Sequence, residues 1–134
     1  MTTAPDLEPS VSAGVHAAIA AYAQALDTGR VDDLVELFTP DGVSEIAGVA
    51  TFEGHDALRA GYTGFVTQQP QLHLAGNTVI TSWTADEARA ISNLAFFQRG
   101  ESGWAVQLVG RYDDTLRLYK GSWRFQRRIT TFLP

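Results

Sequence analysis

Four stretches in the second half of the chain decide how it folds: LHLAGNTVITSW at 72–83, ARAISNLAFFQ at 88–98, WAVQLVGRYDDTLRL at 104–118 and SWRFQRRITTF at 122–132. Polar and apolar side chains tend to alternate along each, the period-two pattern of a half-buried strand. The links Thr84-Ala85-Asp86-Glu87, Gly100-Glu101-Ser102-Gly103 and Tyr119-Lys120-Gly121 are short enough to close hairpins. Consecutive hairpins predict an antiparallel meander over Leu72–Phe132.

Upstream, the period changes. Val11, Val15, Ala18, Ile19, Tyr22 and Leu26 recur at steps of three and four, which predicts a helix starting near Pro9-Ser10 and stopping at Gly29. Asp32 and Asp33 suit the first turn of a short second helix carrying Leu34, Leu37 and Phe38. Pro40 is expected to end it, with Thr39-Pro40-Asp41-Gly42 as a turn. Two short strands are expected at Val43–Ile46 and Ala50–Phe52. A third helix is expected over Asp56–Gln68, with Gly61 and Gly64 as weak points. Helices gathered before a run of strands argue for an α+β domain. Residues 1–9 read as a flexible lead, and 10–134 as one domain.

The chain has 134 residues, 45% hydrophobic and 19% charged, which suits one folded domain. A net charge of −5 disfavours nucleic acid as a partner. No apolar run approaches the ~18 residues of a membrane span. No secretory leader is evident at Met1–Ser10. The absence of cysteine excludes disulfides and thiolate sites and fits a cytoplasmic location. His16, His55 and His73 lie on separate elements without metal-ligand spacing, so no metal is expected. Neither a phosphate-binding glycine loop nor a Ser-centred nucleophile elbow is present. Cofactor-independent acid–base chemistry is the class that remains.

Several motifs occur in a characteristic order: Tyr22-Ala-Gln-Ala-Leu-Asp27 with Gly29-Arg30, Leu37-Phe-Thr-Pro-Asp-Gly42, His73 with Asn77, Gly110-Arg-Tyr-Asp-Asp114, and Gly121-Ser-Trp-Arg-Phe125 with Arg128. Together they make the chain resemble the SnoaL-like members of the nuclear transport factor 2-like superfamily. The resemblance implies a cone-shaped domain, with three N-terminal helices packed on a curved antiparallel sheet that encloses a pocket. Relatives include scytalone dehydratase, ketosteroid isomerase, polyketide cyclases and non-catalytic transport proteins. One fold with so many functions leaves the function to the site.

The candidate catalytic residues are His73, Asp27 and Tyr22. A neutral imidazole can take a proton from carbon beside a carbonyl and return it elsewhere. A phenol on the core stripe of the first helix can donate to a developing enolate. Asp27 lies about 140° around that helix from Tyr22 and reaches a pocket only because the helix ends there. The dehydratases of the family pair their histidine with an acidic or histidine partner on the neighbouring strand. Here that position offers only Phe96, Phe97 or Gln98. His73 is expected within hydrogen-bond reach of Asp27, Tyr22 or a bound molecule, where the sheet and the first helix should meet. Strand alternation places His73, Asn77, Val79 and Thr81 on one face, with Asn77 opposite Asn93 if the hairpin has a three-residue loop. Asn77 and Asn93 would then position substrate polar atoms, and Phe38, Phe65, Tyr112 and Trp123 would line the pocket. Asp114 needs a partner on the apolar face. Simple register pairs it with Arg127 and sends Arg128 to the opposite face with Asp113, while the resemblance implies substrate anchoring by Arg128.

The expected activity is dehydration, isomerisation or cyclisation of a small, fairly apolar cyclic molecule, polyketide-like or steroid-like. A non-catalytic binding or assembly module is the alternative. The expected partner is a second copy, joined through an outer sheet face carrying Arg111, Thr115, Arg117, Arg124, Gln126 and Arg128.

Overall fold

The computed structural model describes residues 7–134; most of the predicted lead lies outside them. The elements are α1 (Pro9–Asp27), α2 (Val31–Glu36), β1 (Phe38–Ile46), β2 (Ala50–Glu53), α3 (Gly54–Thr63), β3 (Gln71–Trp83), β4 (Glu87–Gly100), β5 (Gly103–Tyr119) and β6 (Ser122–Phe132). Among the described residues no helix is long and apolar enough to cross a membrane.

The predicted stripe of α1 is its buried face: Val11, Val15, Ala18, Ile19 and Tyr22 all lie in the core. Gly29, at φ 69, ends the helix in the left-handed conformation, and the following Arg30 N–H reaches back to the Ala25 carbonyl. That stop brings Asp27 to the last turn, next to the start of β3.

Strands β3 to β6 form the expected antiparallel meander. The whole sheet is mixed, however. Its order is β2-β1-β6-β5-β4-β3, and β1 runs parallel to β6. The turn expected at Thr39–Gly42 lies inside β1, as an irregular segment between the pairs Phe38↔Phe125 and Val43↔Arg127. Turn-forming residues here make a bulge, because Phe38 is already held against β6. The second helix therefore stops at Glu36, before Leu37 and Phe38. α3 ends at Thr63, short of the expected Gln68. Gly61 in its last turn sits where an added Cβ would fall 2.4 Å from the Phe52 ring.

Bulges decide which side chains face the helices. In β3 the register slips between Gly76 and Val79, where Asn77 takes φ 53. The inward face accordingly runs His73, Ala75, Thr78, Ile80 rather than His73, Asn77, Val79, Thr81. A second slip, between Thr115 and Leu116 opposite Arg127 and Phe125, turns Arg128 inward. The core then packs α1 and α3 against Ala88, Ala90, Leu94, Tyr112, Leu116 and Phe125.

Candidate active site

A cavity of about 310 Å³ opens between the end of α1, the start of α3's exit segment and the inner sheet face. Its size is at the lower end of small-molecule sites. Aromatic and aliphatic side chains dominate its wall: Tyr22, Tyr62, Phe65, Leu94, Phe96 and Tyr112 among them. Polar groups gather in two places.

The first is where α1 meets β3. The His73 Nδ1–H donates to Asp27 Oδ1 at 2.5 Å, and the His73 backbone N–H donates to Asp27 Oδ2 at 2.7 Å. Both carboxylate oxygens are thus tied to one residue, which fixes the carboxylate against the strand. Gln71 Nε2 adds a third donor at 3.3 Å. The imidazole stacks on the Phe96 ring, its register partner on β4, at 4.3 Å between centroids. The side chains of His73 and Asp27 keep 13% and 10% of their exposure, so the pair is shielded without being sealed. Nε2 has no protein partner among the described residues and is not among the sealed unsatisfied atoms. A carboxylate on Nδ1 selects the tautomer that leaves the Nε2 lone pair free to accept a proton.

The second is a chain of hydroxyls. Tyr22 Oη lies 2.6 Å from Tyr62 Oη, which lies 2.7 Å from Ser44 Oγ. Burial pushes both phenols up: Tyr62 to about 12, and Tyr22 well above its ordinary value, with the neighbouring Tyr62 adding to the shift. They are hydrogen-bond donors across the physiological range, not bases.

A family model described as a SnoaL-like domain matches residues 11–129. The chain belongs to the SnoaL-like family. A search of curated proteins returns no match. Among solved structures, this SnoaL-like domain is similar to a protein of unknown function from Mycobacterium tuberculosis, with 22% identity and a TM-score of 0.85, covering 94% of this chain and 76% of that one. It is similar to an NTF2-like protein with a cystatin-like fold from Novosphingobium aromaticivorans, with 24% identity and a TM-score of 0.83, covering 91% and 81%. A putative scytalone dehydratase from the same organism has 24% identity and a TM-score of 0.83, covering 93% and 85%. At these identities the likeness carries the fold alone.

The fold sorts the sequence candidates. Tyr22 and His73 line the cavity, Asp27 binds His73, and Phe65 and Tyr112 are wall residues. The neighbouring strand offers His73 no carboxylate, as expected, and the end of α1 supplies one through Asp27. Asn77 and Asn93 are exposed on the outer side of the sheet: the bulge at Asn77 reverses the alternation of β3, and Asn93 lies between the inward Ser92 and Leu94 of β4. Phe38 is wholly buried behind the cavity. Trp123 packs on α1, where a Cβ added to Gly14 would lie 2.1 Å from its ring. Arg128 does not reach the cavity. It is fully buried and held by Asp114 through Nε at 2.8 Å and Nη2 at 3.0 Å, so the expected pairing of Asp114 with Arg127 is replaced. Sequence reasoning passed over Tyr62, Ser44 and Gln71. Tyr62 was visible on the apolar side of the third helix, and Gln71 as the residue two before His73. Nothing local joined Ser44 to either.

Proposed function

We propose that this SnoaL-like domain is a cofactor-independent enzyme that moves a proton on a small, fairly apolar cyclic substrate, in dehydration, isomerisation or cyclisation. The observation that carries this reading is His73 on the wall of a mostly apolar cavity, held from behind by Asp27. His73 Nε2 takes the proton from carbon beside a carbonyl, and Asp27 stabilises the imidazolium that forms. The electron pair of the broken C–H bond moves towards the carbonyl oxygen, where the Tyr22 hydroxyl donates. The imidazolium then returns its proton to another carbon, or to a departing hydroxyl. The aromatic wall suits a flat ring.

The test needs no knowledge of the overall reaction. Cyclic ketones and β-hydroxyketones are incubated with the protein in D₂O, and exchange of the protons beside the carbonyl is followed by NMR. Exchange on a compound that binds the cavity, lost in His73→Ala, supports the enzyme. Binding without exchange would leave a non-catalytic binding module.

The dimer belongs to the same proposal, with its surface moved. The outer sheet face exposes Leu72, Leu74, Val79, Ile91, Val106 and Val109, a more apolar patch than the expected arginine-rich end. Arg128 is not part of it. Light scattering should give a dimer mass that Val109→Glu halves. A monomer for both proteins would exclude the dimer.

A further inference from the structure

Proton transfer at the dyad leaves one charged group without a task, the Arg128–Asp114 pair behind the cavity. Its geometry is specific. The guanidinium carbon lies 3.5 Å from the centroid of Tyr112, 4.3 Å from Tyr22 and 4.5 Å from Phe125. Asp114 takes Nε and Nη2, while Nη1 has no hydrogen-bond partner among the described residues. The π-faces are what the surroundings offer that nitrogen. Two of these rings, Tyr22 and Tyr112, also form the cavity wall. One buried cation therefore backs two phenols whose other side faces the ligand space.

The phenols have protons to give. Ser44, Tyr62 and Tyr22 carry three hydroxyl protons between them and share two hydrogen bonds. When Ser44 donates to Tyr62 and Tyr62 to Tyr22, the Tyr22 proton is free for a ligand. The Tyr112 hydroxyl has no partner among the described residues and is not among the sealed unsatisfied atoms, so it is reached from the cavity. Burial holds Tyr112 above its ordinary range, as it does Tyr22, so both remain protonated donors.

We propose that Arg128 is a positioning residue: locked by Asp114, it carries the rings of Tyr22 and Tyr112 and sets these two phenols as a receptor for negative charge on a ligand oxygen, an enolate or a phenolate. This rests on the proton-transfer reading above and deepens it. When His73 removes the proton, the charge left on the substrate oxygen settles between two donors whose rings lie on a fixed cation. Donors held in place before the reaction cost no reorganisation during it. The ligand class follows as neutral cyclic ketones and phenols whose oxygen becomes anionic in the cavity.

Binding of 4-nitrophenol tests this, because its anion and neutral form absorb at different wavelengths. The wild-type protein should bind the anion about tenfold more tightly than the neutral form, the size expected of a hydrogen bond to a charged acceptor, read as a drop of about one unit in the probe's apparent pKa. Tyr22→Phe and Tyr112→Phe should each lose part of that preference. The double variant Arg128→Met/Asp114→Leu removes both buried charges and should remain folded by circular dichroism while binding both forms alike. If it does not fold, Arg128→Lys gives the reading: charge without the planar stack should keep only part of the preference. In a His73→Ala background deuterium exchange should be lost, while Tyr22→Phe and Tyr112→Phe should still lower the phenolate preference that remains, which separates a failure of the phenol receptor from a failure of the base. The proposal is overturned if wild type binds neither form, or binds neutral phenol as well as phenolate. It is also overturned if the folded Arg128 variants retain the full preference.

Discussion

Two carboxylates on the inner side of this domain each hold a cationic or potentially cationic partner through two contacts, and they do opposite things. Asp27 sits at the end of a helix and grips His73 by a ring nitrogen and the backbone, at a wall that keeps some exposure. Asp114 lies in the middle of β5 and grips Arg128 by two guanidinium nitrogens, with neither side chain exposed. An imidazole can give up its proton in water's pH range, and an arginine cannot. The titratable partner is at the cavity and the permanent charge is sealed. Acid–base chemistry needs access as well as a carboxylate, whereas a fixed field needs only rigidity and burial.

That contrast can be broken by mutation. The largest expected effect is on chemistry: His73→Ala should slow deuterium exchange by roughly 10²–10⁴, the usual share of general acid–base catalysis. Its fold should be intact by circular dichroism. Undiminished exchange would move the base elsewhere. At the other pair the effect should fall on stability. Arg128→Ala strands a buried carboxylate and should cost about 3–5 kcal/mol in urea unfolding. Asp27→Asn, at the accessible pair, should cost about 1 kcal/mol. Equal losses at the two sites would erase the distinction.

Alkaline pH probes the phenols between the pairs. In the unfolded chain a tyrosine ionises near its ordinary value of 10.0, while burial holds Tyr62 up to about 12. Above pH 10 the unfolded state therefore loses protons that the folded state keeps. Stability should be fully present below pH 10 and fall as pH rises towards 12, with Tyr22 and Tyr112 adding in the same direction. Urea midpoints at several alkaline pH values check this; a flat profile would mean the phenols are open to solvent. The smallest effect is expected at Asn93, outside the cavity: Asn93→Ala should alter exchange by no more than about twofold, the range of ordinary surface changes.

Much of this protein is decided by local patterning. The stripe on α1, the glycine that stops it and the alternation from β3 to β6 follow from side-chain period and backbone sterics, which neighbouring residues set for themselves. The same local logic carried Tyr22 to the core and Asp27 to a helix end. What it could not supply was register. A bulge adds one residue to one strand and reverses every side chain beyond it, and its stability comes from partners distant in sequence. The slip at Asn77 took Asn77 out of the cavity, and the slip opposite Thr115 brought Arg128 into the core beside Asp114 rather than outside beside Asp113. Parallel pairing of β1 with β6 is equally non-local. So too is the meeting of His73 with a carboxylate 46 positions earlier in the chain. Only the packing of α1 across the start of β3 brings those two groups together.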